Sequence, residues 1–287
     1  MMETVQAIFG DWEIRCIPSD GGRIASLKYK DQPLLTPAPE NFSPPGTPLG
    51  EYEQRPVYGY DDCFPSVAPG LHPRENYPIR DHGQLCWLPW EMKAGPSVLE
   101  ARVDCHRPDC RFSRTLCFSA QGIRWVFELE NRSEGPLDFL HVAHPLFPPG
   151  EVAGLDLPSF DHVLGEQNQP VQLLEGPSAV SAHLLGLQEG AWELLSLQRL
   201  SEPRVGLRFR SGIRLVITWS RALFPNLAIW WNRGGYPPEP GIARNECAME
   251  PISGRNSNLA DSLADGDCLQ VPPAGRKRWE MVWHVQA

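Results

Sequence analysis

Hydrophobic and polar residues alternate with a period of two in several stretches of the chain. Across 98–105, Leu99, Ala101, Val103 and Cys105 face one way and Glu100, Arg102 and Asp104 the other. Ile123, Trp125, Phe127 and Leu129 alternate in the same way with Arg124, Glu128 and Glu130. Near the end, Trp279, Met281, Trp283 and Val285 share one face. This pattern predicts antiparallel strands with one face on a core and the other on solvent or ligand. Val205, Leu207 and Phe209, then Ser211-Gly212, then Ile213, Leu215 and Ile217 predict a β-hairpin with a two-residue turn.

Helical periodicity is scarce. Only 258–264 supports a turn or two, with Asn258 or Ser257 as its cap. The 30 prolines and 25 glycines disfavour long helices and favour many turns. The fold class is therefore all-β: a large antiparallel β-sandwich with few short helices, formed by residues 1–287 as a single domain. Two stretches, 36–56 and 71–78, carry no periodicity and are rich in Pro, Glu and small polar residues. Both are expected to be long surface loops near a binding cleft.

Composition narrows the classes of function. An apolar fraction of 41% supports a substantial core, and 21% charged residues is not a disordered profile. The net charge of -9, with no basic stripe, argues against nucleic acid as a partner. No apolar run reaches the roughly 18 residues of a membrane span. The N-terminus has no basic, apolar leader, so the eight cysteines are expected as free thiols in a cytoplasmic protein. Cys105 and Cys110, with His106 between them, lack a second ligand pair, and no metal site is expected.

Three segments carry candidate chemistry. Cys247-Ala248-Met249-Glu250-Pro251 sets a carboxylate among apolar residues. Glu250 is either an ion-pair partner of Arg255 or Arg244, or a buried base with a raised pKa. Asp81-His82-Gly83 and Ala143-His144-Pro145 each deliver a histidine that is either structural or part of a site. Asp61 and Asp62 form a capped turn or accept hydrogen bonds from the hydroxyls of a ligand. Arg80 holds a hydroxyl or pairs with Asp81. Trp230 and Trp231 must face opposite sides of a strand, and Trp231 is taken as a ring that stacks on a pyranose.

The order and spacing of these segments resemble the galactose mutarotase-like, aldose 1-epimerase superfamily nearly end to end. Gly21-Gly22-Arg23-Ile24-Ala25-Ser26-Leu27 resembles its early strand. Asp81-His82-Gly83 and Ala143-His144-Pro145-Leu146-Phe147 resemble its two histidine motifs. Asn226 to Trp230 followed by Cys247 to Pro251 resembles the strand pair that delivers its glutamate, and Pro272 to Gly275 followed by Trp279 to Val285 its closing strand.

The resemblance implies a β-sandwich binding a monosaccharide in an open cleft, as a monomer or homodimer, without metal or organic cofactor. It implies Glu250 as the base at the anomeric hydroxyl, His144 as the acid at the ring oxygen, and His82 as a partner in proton transfer. A sugar-binding Asp between the second His and the Glu is also implied, with Asp156 and Asp161 as candidates. Cys86 stands where the hexose-phosphate branch has an Arg, and Asp61 and Asp62 are expected to repel a phosphate. The expected function is therefore interconversion of the anomers of an unphosphorylated aldose. A non-catalytic carbohydrate-binding protein is the rival on the same fold. A hexose-phosphate mutarotase would need two cations in the cleft, from Arg55, Arg74, Arg80 or Arg233. A hydrolase or lyase would need an extended groove, and the hydrolase a spaced carboxylate pair as well.

Overall fold

Each alternating stretch forms a strand in the computed structural model, which describes residues 3–38, 52, 55–172, 174–238 and 244–286. One sheet runs β1 (Val5–Phe9), β2 (Trp12–Ile17), β3 (Arg23–Tyr29), β5 (Tyr60–Cys63), β13 (Val142–Phe147), β20 (Asn245–Ile252), β19 (Asn226–Arg233), β16 (Trp192–Gln198) and β15 (His162–Leu164). Strand β4 (Gln32–Pro33) pairs with β3 at its side. The second sheet runs β14 (Val152–Asp156), β17 (Arg204–Phe209), β18 (Arg214–Trp219), β22 (Arg276–Gln286), β11 (Gly122–Asn131), β10 (Asp109–Ser119), β9 (Val98–His106) and β8 (Glu91–Ala94). Two short pairs, β6 (Gly70–Leu71) with β7 (Pro78–Ile79) and β12 (Leu137–Phe139) with β21 (Leu269–Val271), complete the strands.

The two large sheets share one hydrophobic core. Trp12, Trp125, Trp283, Phe112 and Phe127 are fully buried in it. The alternation read from the sequence is the burial pattern of β9, β11 and β22. Aromatic side chains of this size each bury on the order of 150–250 Å², so they dominate the cohesion between the sheets.

The hairpin β17–β18 forms in the expected place, but its turn is Arg210-Ser211-Gly212, because Phe209 N–H donates to Ile213 C=O at 2.8 Å. Gly212 takes a positive φ of 91°, as a three-residue turn requires. The predicted helix is α2 (Leu259–Asp265), and Asn258 caps it by accepting from Ala260 N–H and Asp261 N–H. The pattern did not predict α1 (Pro177–Leu185), although Pro177 at its first turn is a start signal. Segment 71–78 is not an open loop. It is a short hairpin closed by the β6–β7 pair, with Tyr77 and Ile79 packed against Leu140 and Leu259 of α2. Most of the expected loop 36–56 lies outside the described residues. No described helix is long and apolar enough to cross a membrane.

Candidate active site

Strand register brings the candidate residues into one row. Asp61 on β5 lies opposite His144 on β13. Leu146 lies opposite Ala248, so continuing that register by two residues sets His144 beside Glu250 on β20. Glu250 in turn faces Ala228 on β19, and Ala228 faces Ser196 on β16. The row Asp61, His144, Glu250, Ala228, Ser196 thus crosses five strands on one face. Its last two members are small. A cavity of about 120 Å³ lies over them, walled by Glu250, Leu194 and Val142 and by loops 165–168 and 253–257.

His82 reaches the same face from a tight turn. It takes a left-handed φ of 59°, and Gly83 follows at 70°. A Cβ on Gly83 would meet the Phe64 carbonyl oxygen at 1.9 Å, so only glycine fits after this histidine. The turn is fixed by His82 N–H donating to Val67 C=O at 2.7 Å. The imidazole stacks on Tyr52 with ring centres 3.6 Å apart and stands 5.2 Å from the His144 ring.

Behind the row lies a buried ionic network. Asp61 accepts from His144 Nδ1 at 2.7 Å, from Arg23 at 2.6 Å and from the Tyr52 hydroxyl at 3.2 Å. Arg23 also binds Asp20, which pairs with Arg55 at 2.5 Å. The adjacent Gly22 has a positive φ, and a Cβ there would strike the Trp90 ring at 2.6 Å. The Gly-Gly-Arg motif therefore lets the backbone pass close to Cys86 and Trp90 just before Arg23.

The electrostatics follow from this arrangement. Burial favours a protonated Asp61, but the Arg23 charge and the His144 hydrogen bond outweigh it and hold the carboxylate ionised well below its usual range. Burial also disfavours a charged His144. The hydrogen bond and charge of Asp61, with Glu250 nearby, overcome that and raise its pKa. Glu250 is raised chiefly by burial, against the opposing pull of His144 and His82. The Nε2 atom of His144 lies 3.4 Å from Glu250 Oε1. Glu250 is thus partnered by an imidazole. Arg255 pairs with Asp265, and Arg244 donates to the carbonyls of Tyr52 and Arg55.

Other expectations fall elsewhere. Asp62 points into the inter-sheet core, where it binds Arg114, the Tyr60 hydroxyl and His141 Nε2. It faces away from the cleft, because neighbouring residues on a strand point to opposite faces. Asp61 lies on the cleft face, but its oxygens are engaged by His144, Arg23 and Tyr52, and it orients the histidine. Arg23 pairs with Asp61 and Arg114 with Asp62. Trp231 is 1% exposed in the core. Trp230 is the ring on the Glu250 face, against Trp192 and Tyr236. Arg80 is exposed and is not among the residues lining the cavity. Asp156 pairs with Arg208 and Arg214 on the other sheet, and Asp161 with Arg199.

Sequence reasoning missed several participants. Glu166 and Asn168 line the cavity from a loop without a motif. His141 accepts from Trp279 at Nδ1 and so presents Nε2–H to Asp62, a pairing of distant residues. Tyr52 fell within a stretch read as loop. Cys105 and Cys110 are cross-strand neighbours in the β9–β10 hairpin. Among the described residues, Cys63, His82 and His144 converge closely enough to hold a metal ion.

Comparison with known proteins rests on structure. No family model and no curated protein matches the sequence. The Slr1438 protein from Synechocystis sp. PCC 6803 superposes with a TM-score of 0.77 at 17% identity, over 100% of this chain and 96% of that one. A galactose mutarotase-like protein from Clostridium acetobutylicum gives 0.69 at 15% identity, over 99% and 95%. A galactose mutarotase-like protein from Lactobacillus casei gives 0.68 at 14%, over 99% and 100%. The chain has the galactose mutarotase-like fold. In this mutarotase-like sandwich the row of Asp61, His144 and Glu250 lies on a cleft face, with His82 delivered from outside the sheet.

Proposed function

We propose that the protein is an aldose 1-epimerase acting on an unphosphorylated aldose. The reading is carried by one observation: a largely enclosed carboxylate and a buried imidazole face each other at 3.4 Å, and the imidazole is held from behind by Asp61. Ring opening needs a base at the anomeric hydroxyl and an acid at the ring oxygen, both with pKa values near the working pH. Glu250, raised by burial, takes the hydroxyl proton. His144, kept cationic by Asp61, gives its Nε2 proton to the ring oxygen. The C1–O5 bond breaks, the aldehyde turns about C1–C2, and O5 attacks the other face while both protons return. His82, beside His144, holds a hydroxyl during this exchange.

A neutral sugar is favoured because Arg255 is the one Arg or Lys among the described residues lining the cavity, and Asp265 already pairs with it. The test is the rate of anomer interconversion, followed by polarimetry with fresh α-glucose, α-galactose and a panel of other aldoses, with Glu250→Gln in parallel. Acceleration that disappears in Glu250→Gln is expected. A folded native protein that accelerates no member of the panel would leave a binding protein on this fold as the better account.

A further inference from the structure

Cys63 adjoins the site and has no part in ring opening. It follows Asp61 by two residues on β5, so it lies on the same face, and it pairs across to Val142. Its Sγ and one ring nitrogen each of His82 and His144 all lie within 4.8 Å of one another. A single point therefore lies within about 2.8 Å of all three, and movements of up to about 0.8 Å reach the zinc distances of ~2.3 Å to sulfur and ~2.0–2.1 Å to nitrogen.

The outer contacts suit a cation as well. Asp61 occupies His144 Nδ1, which leaves Nε2 as the ligand atom, in the carboxylate–histidine–metal arrangement. Among the described residues His82 Nδ1 is buried without a hydrogen bond, although Asp81 Oδ1 stands 3.0 Å away. Glu250 Oε1 is 3.4 Å from His144 Nε2 and so adds negative charge beside one ligand. Two imidazoles and one thiolate make a donor set of the zinc type.

We propose that the cleft floor also binds one divalent cation of the zinc class through Cys63, His82 and His144, as a three-ligand open site, and that this cation shuts off the sugar site. The second half rests on the function proposed above; the first does not. Asp61 and Glu250 both lie against His144, one at each ring nitrogen. Binding forms a metal–sulfur bond and releases the thiol proton to water, with no change of oxidation state. The cation offsets the same two carboxylates. While it occupies Nε2 of His144 that atom carries no proton, so the acid of the proton exchange is not available.

The experiment is a Co²⁺ titration of metal-stripped protein, followed by Zn²⁺ displacement. One equivalent of Co²⁺ should give a near-ultraviolet thiolate-to-cobalt charge-transfer band that Zn²⁺ removes. Cys63→Ser should abolish the band and weaken Zn²⁺ binding by about 100-fold or more, since even an outer-shell partner is worth ~10–100-fold. It should keep mutarotation while raising the Zn²⁺ concentration that inhibits it by a similar factor. Cys105→Ser should change neither binding nor band. If Cys63→Ser does not fold, His82→Asn tests binding alone, because Asn tolerates the left-handed backbone there, and Zn²⁺ should again bind at least 10-fold more weakly.

No thiolate band in the native protein, a band that survives Cys63→Ser, or a band lost in Cys105→Ser would each overturn the site. The cobalt readout needs no turnover. Metal bound at Cys63 without mutarotation of any aldose would refute the proposed function and leave the metal site standing. Mutarotation without the band would do the reverse.

Discussion

Asp61 Oδ1 lies 2.7 Å from His144 Nδ1, and this contact decides which nitrogen of the imidazole faces the cleft. Asp61 is ionised and can only accept, so Nδ1 carries the hydrogen and Nε2 points towards Glu250. The acid of the proposed reaction is thus set by a residue that never meets the sugar. The same carboxylate is locked by Arg23, which donates to it at 2.6 Å.

Asp61→Asn should lower the mutarotation rate by about 10²–10⁴-fold, the range of a lost general acid. It should also destabilise the protein by about 3–5 kcal/mol, because Arg23 keeps its buried charge and loses a buried partner. Polarimetry and urea denaturation check the two effects. A full rate in the folded variant would show that Asp61 does not govern the acid.

Glu250→Gln should separate activity from stability. The rate should fall by about 10²–10⁴-fold while the melting temperature stays level or rises at pH 7. The sign follows from the raised pKa of Glu250. A carboxylate whose folded pKa lies above its unfolded value stabilises the fold below the unfolded value, and that stability is lost as pH rises through the folded one. At pH 7 the charged Glu250 therefore weighs against folding, and Gln removes that penalty. A large drop in melting temperature would mean that the charge holds the fold together.

Much of this site could be read from the chain, and the part that could not has a physical reason. Glu250, His144 and His82 lie in local patterns, and strand register then converges two of them. Period two also showed that Trp230 and Trp231 must diverge. It could not say which one faces the core, since that depends on the partner sheet. Asp61 and Asp62 carried the same ambiguity: both are buried, and only the positions of Arg23 and Arg114 tell the cleft side from the core side. The Asp62–His141–Trp279 chain joins residues far apart in sequence, and no local pattern encodes it.

The two tryptophans give a direct test of facing. Trp231→Ala should cost about 3–5 kcal/mol of stability, the usual loss for a large aromatic removed from a core. Trp230→Ala should cost less, because the ring is half-buried on the cleft face, and it should raise KM for the aldose with little change in kcat. Urea denaturation and steady-state polarimetry distinguish them. If Trp231→Ala instead changed KM in a stable protein, Trp231 would be the sugar-facing ring.

The pH dependence of stability should show His144 and Asp61 acting on opposite limbs. His144 has a folded pKa above its ordinary 6.5, so its stabilisation is complete below 6.5 and fades as pH rises through the folded value. Asp61 has a folded pKa below its ordinary 3.8, so its stabilisation is complete above 3.8 and fades as pH falls towards the folded value. Urea midpoints measured from pH 3 to 10 should therefore decline on both sides. His144→Gln should flatten the decline just above pH 6.5. The rate should follow the same pair. Glu250 protonates at a pH above its ordinary 4.5, and His144 stays charged beyond 6.5, so kcat/KM should peak between two limbs that belong to the coupled pair. An alkaline limb left in place by His144→Gln would assign that titration to another group and remove His144 from the role of acid.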